Sequence, residues 1–183
     1  GSDKNLLDGM RECIFALREE NIIPIFIGEN FNYSEALYKS INYQKTDIAL
    51  VSPYIAYNPD ELAWKLEQKK KLFHTSFIGI QNFLNSQTTI QLSSDIFSEQ
   101  IRLGDLRSNI GQVEPLLRQA DLFEFDLRAI KYSNFNSASA HLPSGLSNQE
   151  ACAICRYAGI SNTIGLYLFN HFELNETHAS DAQ

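Results

Sequence analysis

The sequence has no apolar run near the roughly 20 residues that a membrane-spanning helix needs, and its first residues form no secretory leader. Only three of its 183 residues are cysteine, and their spacing gives no disulfide framework. Positive charge is also scarce, because 15 Lys+Arg stand against 22 Asp+Glu, for a net charge of -7. These absences argue against membrane and nucleic-acid partners and predict a cytoplasmic protein.

Two of the cysteines, in Cys152-Ala-Ile-Cys155, have the spacing of a redox motif. A reactive pair usually lies at the start of a helix, whereas these two lie well inside a predicted one. We interpret them as two small buried side chains on one helical face. Zinc is not expected, since neither a second cysteine pair nor a spaced histidine pair follows.

Apolar runs alternate with helical patterns along the chain. Gly1-Ser2 is interpreted as a tag remnant, and 3–183 as one domain. Strands are predicted at 22–27, 47–51, 73–80, 122–127 and 163–169, and helices at 4–20, 32–41, 58–71, 108–119 and 147–157. The run 22–27 is apolar throughout, which is typical of a strand buried on both faces. Residues 81–106 receive no assignment.

This alternation predicts an α/β fold, a three-layer α/β/α sandwich with a mostly parallel sheet of about five strands. Functional groups in such sheets collect at the carboxyl ends of the strands. The segment Phe-Glu-Phe-Asp-Leu-Arg at 123–128 is followed by a loop of small residues and by Pro-Ser-Gly-Leu-Ser-Asn-Gln-Glu at 143–150. These two segments are similar to the Ser-Phe-Asp-x-Asp and Pro-Gly-Gly-Leu-(Ser/Thr)-x-x-Glu motifs of the ureohydrolases: arginase, agmatinase and formiminoglutamase.

Four further segments, at 25–30, 48–56, 77–81 and 165–171, resemble other ureohydrolase segments in the same order. The resemblance implies an arginase-like fold. Known members have additional segments at both ends, so a partial domain is expected. The resemblance also implies hydrolysis of a guanidino or formimino carbon-nitrogen bond by a hydroxide that bridges two manganese ions. In the family, two His and four Asp hold these ions.

Of those six ligand positions, the resemblance retains one, as Asp126. The other five ligand positions are occupied by residues that differ from the family's ligands: Asn30, Ser52, Tyr54, Ala56 and Arg128. The family's substrate-orienting Glu falls on Leu168. A single carboxylate cannot hold two manganese ions, and a nearby guanidinium would repel them. We therefore expect no metal, no cofactor and no catalytic residue.

We infer that Arg128 replaces the metal ions as the positive charge of this site. If the strand continues past Asp126, the two side chains share one face, and Glu29 ends a neighbouring strand. We hypothesise that Arg128 pairs with Asp126 and with Glu29, the alternative being an Arg128 that points into solvent. His141 lies in the loop before the 147–157 helix, close to where the family contacts substrate, and is a candidate pocket residue.

The leading interpretation is a ureohydrolase-like domain that has lost its manganese site and acts as a non-catalytic scaffold, regulatory or small-ligand-binding protein. The alternative is an active manganese-dependent hydrolase of guanidino or formimino compounds, and a third is an unrelated α/β binding module. The resemblance implies a homo-oligomer or association with an active paralogue.

Overall fold

The computed structural model describes residues 2–28, 45–57, 62–69, 71–94, 98–134 and 142–172. Its helices are α1 (Ser2–Glu19), α2 (Leu62–Gln68), α3 (Gln87–Ser94), α4 (Leu103–Ser108), α5 (Glu114–Gln119) and α6 (Asn148–Gly159). Its strands are β1 (Ile25–Ile27), β2 (Thr46–Val51), β3 (Leu72–Ile80), β4 (Ser98–Arg102), β5 (Leu122–Asp126) and β6 (Leu166–Asn170). All pairings are parallel, in the order β1-β6-β5-β2-β3-β4.

Helices cover both faces of this sheet. On one face α4, α5 and α6 contribute buried residues such as Leu106, Leu117 and Ile154 to an apolar cluster with Phe123 and Phe125. On the other face, α1 and α2 contribute to a second cluster, which contains the remaining buried apolar side chains of β2, β3, β5 and β6. The predicted three-layer α/β/α sandwich is confirmed.

The α6 start was readable from the sequence. The Ser147 hydroxyl accepts from the Glu150 backbone N–H at 3.2 Å, and the Glu150 carboxylate accepts from the Ser147 backbone N–H at 2.7 Å. This reciprocal capping satisfies two backbone donors at the helix terminus. The helix therefore begins where its sequence indicates.

The prediction for residues 22–27 was wrong in two respects. The strand is confined to Ile25–Ile27 and lies at the edge of the sheet, hydrogen-bonded to β6 alone among the strands described. Its isoleucines are exposed, Ile25 at 62% and Ile27 at 64%. An apolar run indicates that a segment forms a strand, but it does not indicate whether that strand lies in the middle or at the edge of the sheet.

Two other predictions also require correction. The unassigned residues 81–106 contain α3 and β4, so the described sheet has six strands and not about five. The helix predicted over 108–119 is instead divided into the end of α4, a 3₁₀ turn at Ile110–Val113 and α5. None of the helices in the described ranges is long and apolar enough to cross a membrane.

Candidate functional site: a polar network at the carboxyl ends of the strands

A cavity of about 320 Å³ opens where β2 and β5 end. Its polar wall contains Ser52, Tyr54, Glu124, Asp126 and Arg128. Its apolar wall includes Leu50, Ile55, Ala56 and Leu84. One side is closed by Ser86, which directly precedes α3, and by Thr89 in the first turn of that helix. The cavity therefore lies at the edge where parallel sheets usually bind ligands.

Asp126 is the most heavily contacted polar side chain of this cavity. It is 2% exposed, and Arg128 binds it through Nε, at 3.0 Å from Oδ1 and 3.1 Å from Oδ2, and through Nη2, at 2.8 Å from Oδ2. The backbone N–H of Arg128 donates to Oδ1 at 3.0 Å, and the Ser52 hydroxyl donates to Oδ2 at 3.2 Å. Both carboxylate oxygens are thus already hydrogen-bonded.

The pair that was predicted between Arg128 and Asp126 is present, but the reasoning from strand alternation was wrong. β5 ends at Asp126, and Arg128 belongs to a 3₁₀ turn at Leu127–Ala129 that the Asp126 side chain caps. The turn, and not a shared strand face, folds the guanidinium back onto the carboxylate. The solvent-pointing alternative for Arg128 does not fit, since 31% of its side chain is exposed and its carbon Cζ lies 5.0 Å from the centre of the Tyr54 ring.

His171 also contacts Asp126, with Nδ1 3.1 Å from Oδ1. Burial is the largest influence on the pKa of Asp126 and would raise it. The contacts of His171 and Arg128 together outweigh burial, and the pKa is lowered from its ordinary value of 3.8. Asp126 is therefore a carboxylate at neutral pH.

A second carboxylate, Glu124, lies two residues earlier on β5 and also lines the cavity. It is 5% exposed, and Oε1 accepts a hydrogen bond from Asn170 Nδ2 at 3.0 Å. Asp126 pairs with Asn170 in the register of β5 and β6, so the end of β6 lies beside β5 and brings Asn170 next to Glu124. The cavity therefore contains two carboxylates from β5 and one guanidinium from the turn that follows it.

The other residues indicated by the resemblance occupy different positions. Ser52, Tyr54 and Ala56 line the cavity with Asp126 and Arg128. Leu168 instead lies in the apolar cluster under α1 and α2, 2% exposed. Glu29, Asn30 and His141 lie outside the described residues.

Three residues near Asp126 were not predicted as site residues: Glu124, Asn170 and His171. A signal existed for Glu124, because a charged residue two positions before Asp126 in an apolar strand must share its face. No comparable signal existed for His171, whose position beside Asp126 depends on the pairing of β5 with β6.

The described residues do not suit a pair of manganese ions. Within the described ranges, no group of three or more His, Cys, Asp and Glu side chains could hold a metal ion. The one retained ligand position, Asp126, directs both oxygens toward Arg128 and Ser52. Hard divalent cations require several oxygen ligands, and here a guanidinium occupies the space next to the carboxylate.

The cysteines Cys152 and Cys155 both lie in α6. Both are free, Cys155 is partly buried, and Cys152 is exposed, contrary to the expectation of two buried thiols. Burial, followed by the nearby Cys152, raises the pKa of Cys155 to about 11. Cys155 is consequently a thiol at neutral pH.

Several solved structures share this fold. A formiminoglutamase from Trypanosoma cruzi with Mn²⁺ aligns with a TM-score of 0.80 and 18% identity, over 95% of this chain and 63% of that one. A formimidoylglutamase from Bacillus subtilis aligns with a TM-score of 0.78 and 15% identity, over 91% of this chain and 59% of that one. The sequence itself matches no protein-family model and no curated protein.

A third structure is a quadruple mutant of an arginase-like protein from Trypanosoma brucei, in which three serines and one arginine became three aspartates and one histidine. It aligns with a TM-score of 0.71 and 13% identity, over 91% of this chain and 55% of that one. The chain thus spans about three fifths of the length of the first two structures.

The six-stranded parallel sheet with helices on both faces gives this chain the α/β fold of these solved structures, which include an arginase superfamily protein from Trypanosoma cruzi. Its structural neighbours are formiminoglutamases and arginase-superfamily proteins, so the arginase-like fold implied by the sequence resemblance is confirmed.

Proposed function

We propose that this chain is a ureohydrolase-family domain that has lost the binuclear manganese site and binds a small ligand without catalysing hydrolysis. The proposal rests on one observation: Arg128 donates hydrogen bonds to the Asp126 carboxylate from two guanidinium nitrogens and from its backbone N–H. A cation on this carboxylate would have to displace the guanidinium and lie beside its positive charge.

The Trypanosoma brucei arginase-like protein supports this interpretation through the spacing of its substitutions. Three of its four substituted positions follow one another at intervals of two residues, where Ser, Arg and Ser became Asp, His and Asp. In this chain Ser52, Tyr54 and Ala56 have the same spacing and line the cavity. The three substituted positions of that protein and Ser52, Tyr54 and Ala56 of this chain thus share the spacing Asp-x-His-x-Asp.

The cavity supports ligand binding in preference to a purely structural role. It has about 320 Å³ of space, within the range of small-molecule sites, and combines an apolar wall with a few convergent polar groups. Scaffolding or regulation of an active paralogue would be compatible with a ligand in this cavity. A cytoplasmic location is part of the same proposal.

The alternative function, a manganese-dependent hydrolase of guanidino or formimino compounds, is favoured by one observation. Structures with this fold include a formiminoglutamase with Mn²⁺. That function would require metal ligands from outside the described residues, or from a longer protein.

The experiment that separates the two functions measures manganese in the purified chain. After incubation with excess MnCl₂ and gel filtration, we expect far less than one manganese per chain and no urea, ammonia or formamide released from L-arginine, agmatine or formiminoglutamate. The matched control is the quadruple variant Ser52→Asp, Tyr54→His, Ala56→Asp, Arg128→Asp, which should gain bound manganese. Two manganese ions in the unmodified chain, together with turnover, would refute the proposal.

A further inference from the structure

A second cavity opens at the carboxyl ends of β3 and β4. It has about 330 Å³ of space, within the range of small-molecule sites. Its lining includes Ile80 and Arg102, which are the last residues of these two strands and are partners in their register. None of the described residues lines both this cavity and the one around Asp126. In the sheet, β2 and β5 separate the second cavity from β6 and β1.

Two arginines give the second cavity its charge. Arg102 and Arg107 both line it, and the described residues of its lining include no aspartate or glutamate. The chain as a whole carries a net charge of -7, so a lining with two cations runs against the overall charge. A cavity lined by one sign of charge attracts ligands of the opposite sign, which predicts an anionic ligand.

Arg107 is held in place by the residues around the start of α6. Its Nη2 donates to the Gly145 carbonyl oxygen at 2.6 Å, and its Nε lies 3.4 Å from Oε1 of Glu150. A guanidinium has five N–H groups, and these contacts leave the two on Nη1 without a partner among the described residues. Because the side chain is already ordered and 45% of it is exposed, it can bind an anion at a small cost in side-chain entropy.

Arg102 is the second cation, and its side chain has no such anchor. It is exposed, and it makes no hydrogen bond or ion pair with another described residue. Its neighbours Ile101 and Leu103 are 5% and 6% exposed, so the backbone at Arg102 is fixed by two buried side chains. Arg102 can therefore turn toward a ligand without disturbing a contact of the fold.

We propose that the second cavity binds a phosphate group between Arg102 and Arg107. The two guanidinium groups come from different elements, the end of β4 and helix α4, and a tetrahedral phosphate can accept hydrogen bonds from both. A planar carboxylate carries one charge and is matched by a single guanidinium fork. The proposal does not depend on the function of the cavity around Asp126.

The phosphate group has two possible sources, and Phe83 distinguishes them. Phe83 lies in the 3₁₀ turn directly after β3, lines the second cavity and is 77% exposed. An exposed aromatic ring beside a phosphate site can stack on a planar group of the same ligand. The ligand is then either free phosphate or a small organic phosphate whose planar part lies on Phe83.

The test is a titration of the ¹⁵N-labelled chain with sodium phosphate, followed by NMR at constant ionic strength. We expect saturable shifts of the Gly104 amide and of the Nε–H groups of Arg102 and Arg107. They should fit a single Kd on the order of 1 mM, because both arginines stay in contact with water. Acetate should bind at least about tenfold more weakly than phosphate, since it offers one charge to two guanidinium groups.

Variants of Arg102 test whether this side chain holds the phosphate. Arg102→Gln should weaken binding at least about tenfold, and Arg102→Lys should weaken it less, because lysine keeps the charge but not the fork. Arg156→Gln is the matched control: Arg156 is an exposed arginine of α6 outside the described lining, and its loss changes the net charge equally. This control should leave the Kd unchanged.

A second variant blocks the cavity and leaves both arginines in place. Gly104 lines the cavity, and a Cβ there would meet nothing within 4 Å. Gly104→Glu should therefore fold and place a carboxylate beside the two guanidinium groups. We expect it to abolish the saturable shifts, because the carboxylate competes with phosphate and repels it.

Titrations with methyl phosphate and phenyl phosphate separate the two sources of the phosphate group. Tighter binding of phenyl phosphate that Phe83→Ala removes would support an organic phosphate with its planar part on Phe83. Equal affinity for phosphate and both esters would support free phosphate in the same site. Shifts that do not saturate at phosphate concentrations well above the expected Kd would overturn the proposal. Equal weakening by Arg102→Gln and Arg156→Gln would also overturn it, since it would indicate nonspecific attraction by charge.

Discussion

His171 holds its imidazole Nδ1 3.1 Å from Oδ1 of Asp126 while its own backbone has a φ of 60°. This left-handed conformation costs a residue with a Cβ on the order of 1 kcal/mol. The strained backbone turns the chain directly after β6 and keeps the imidazole over the carboxylate. At His171 the strained backbone thus destabilises the fold, whereas the contact of the imidazole with Asp126 stabilises it.

Two substitutions separate these contributions. His171→Ala removes the imidazole and keeps the strain, whereas His171→Gly removes both. We expect the alanine variant to be less stable than the glycine variant by about 1 kcal/mol in urea unfolding. Equal stability of the two variants would show that the backbone at this position is not strained.

A double-mutant cycle measures the coupling between Asp126 and Arg128. Arg128→Met leaves a buried carboxylate without its guanidinium, and we expect a loss of about 2 kcal/mol, since Arg128 is partly exposed to solvent. Asp126→Asn with Arg128→Met should cost less than the sum of the two single variants. Strict additivity would argue against a functional ion pair.

Asp126, which contacts His171 and Arg128, contributes to how stability responds to acid. The pKa of Asp126 is lowered in the folded chain, so its contribution is fully present above the ordinary value of 3.8 and is lost as the pH falls through the folded pKa. In Asp126→Asn this loss should be absent, which urea unfolding at neutral and acidic pH can check.

The fold could be predicted from the sequence wherever local signals and burial agreed. The Ser147 and Glu150 cap is one such place, and the apolar strand that ends at Asp126 is another. The sequence of β4, Ser-Glu-Gln-Ile-Arg, is mostly polar, and so is that of α3, so neither element gives the apolar pattern from which strands and helices are predicted.

The site was predictable only in part. The resemblance placed Ser52, Tyr54, Ala56, Asp126 and Arg128 at one location, and the structure places all five around one cavity. It could not indicate the turn that brings Arg128 onto Asp126, or the pairing that adds His171. Both depend on how the turn and the strands are arranged in space, which the spacing of residues along the chain does not show.

A second carboxylate pair lies at the opposite ends of the strands. The Asp47 backbone N–H donates to Asp121 Oδ2 at 2.9 Å. Burial raises the pKa of both residues, and the charge of Asp121 raises the pKa of Asp47 further. Since the folded chain holds these protons more tightly than the unfolded chain does, the pair destabilises the fold at neutral pH and this penalty shrinks as the pH falls.

Asp121→Asn should remove the repulsion and keep a carbonyl that accepts from Asp47. We expect a gain of about 0.5 kcal/mol at neutral pH, discounted for partial exposure of both side chains, and a smaller gain in mild acid. Asp105→Asn, at an exposed position of α4, is the control and should show no comparable gain. A gain that grows toward acid would contradict this account.

Gly145 is a position where any side chain must displace backbone atoms. A Cβ there would lie 2.6 Å from the Ala129 carbonyl oxygen and 2.6 Å from the Lys131 nitrogen, next to the bridge between Ile130 and Leu146. Neither atom can move without disturbing the hydrogen bonds that Leu146 makes with Ala129 and Lys131. We expect Gly145→Ala to cost roughly 2 kcal/mol or more in urea unfolding, as overpacking against a rigid neighbour does.

Gly104→Ala is the matched comparison for this substitution. Gly104 lies in α4, and a Cβ there would meet nothing within 4 Å. Alanine in a helix is favoured over glycine, so this variant should be neutral or more stable by up to about 1 kcal/mol. If Gly145→Ala were as harmless as Gly104→Ala, the close approach between Gly145 and the backbone of Ala129 and Lys131 would be wrong.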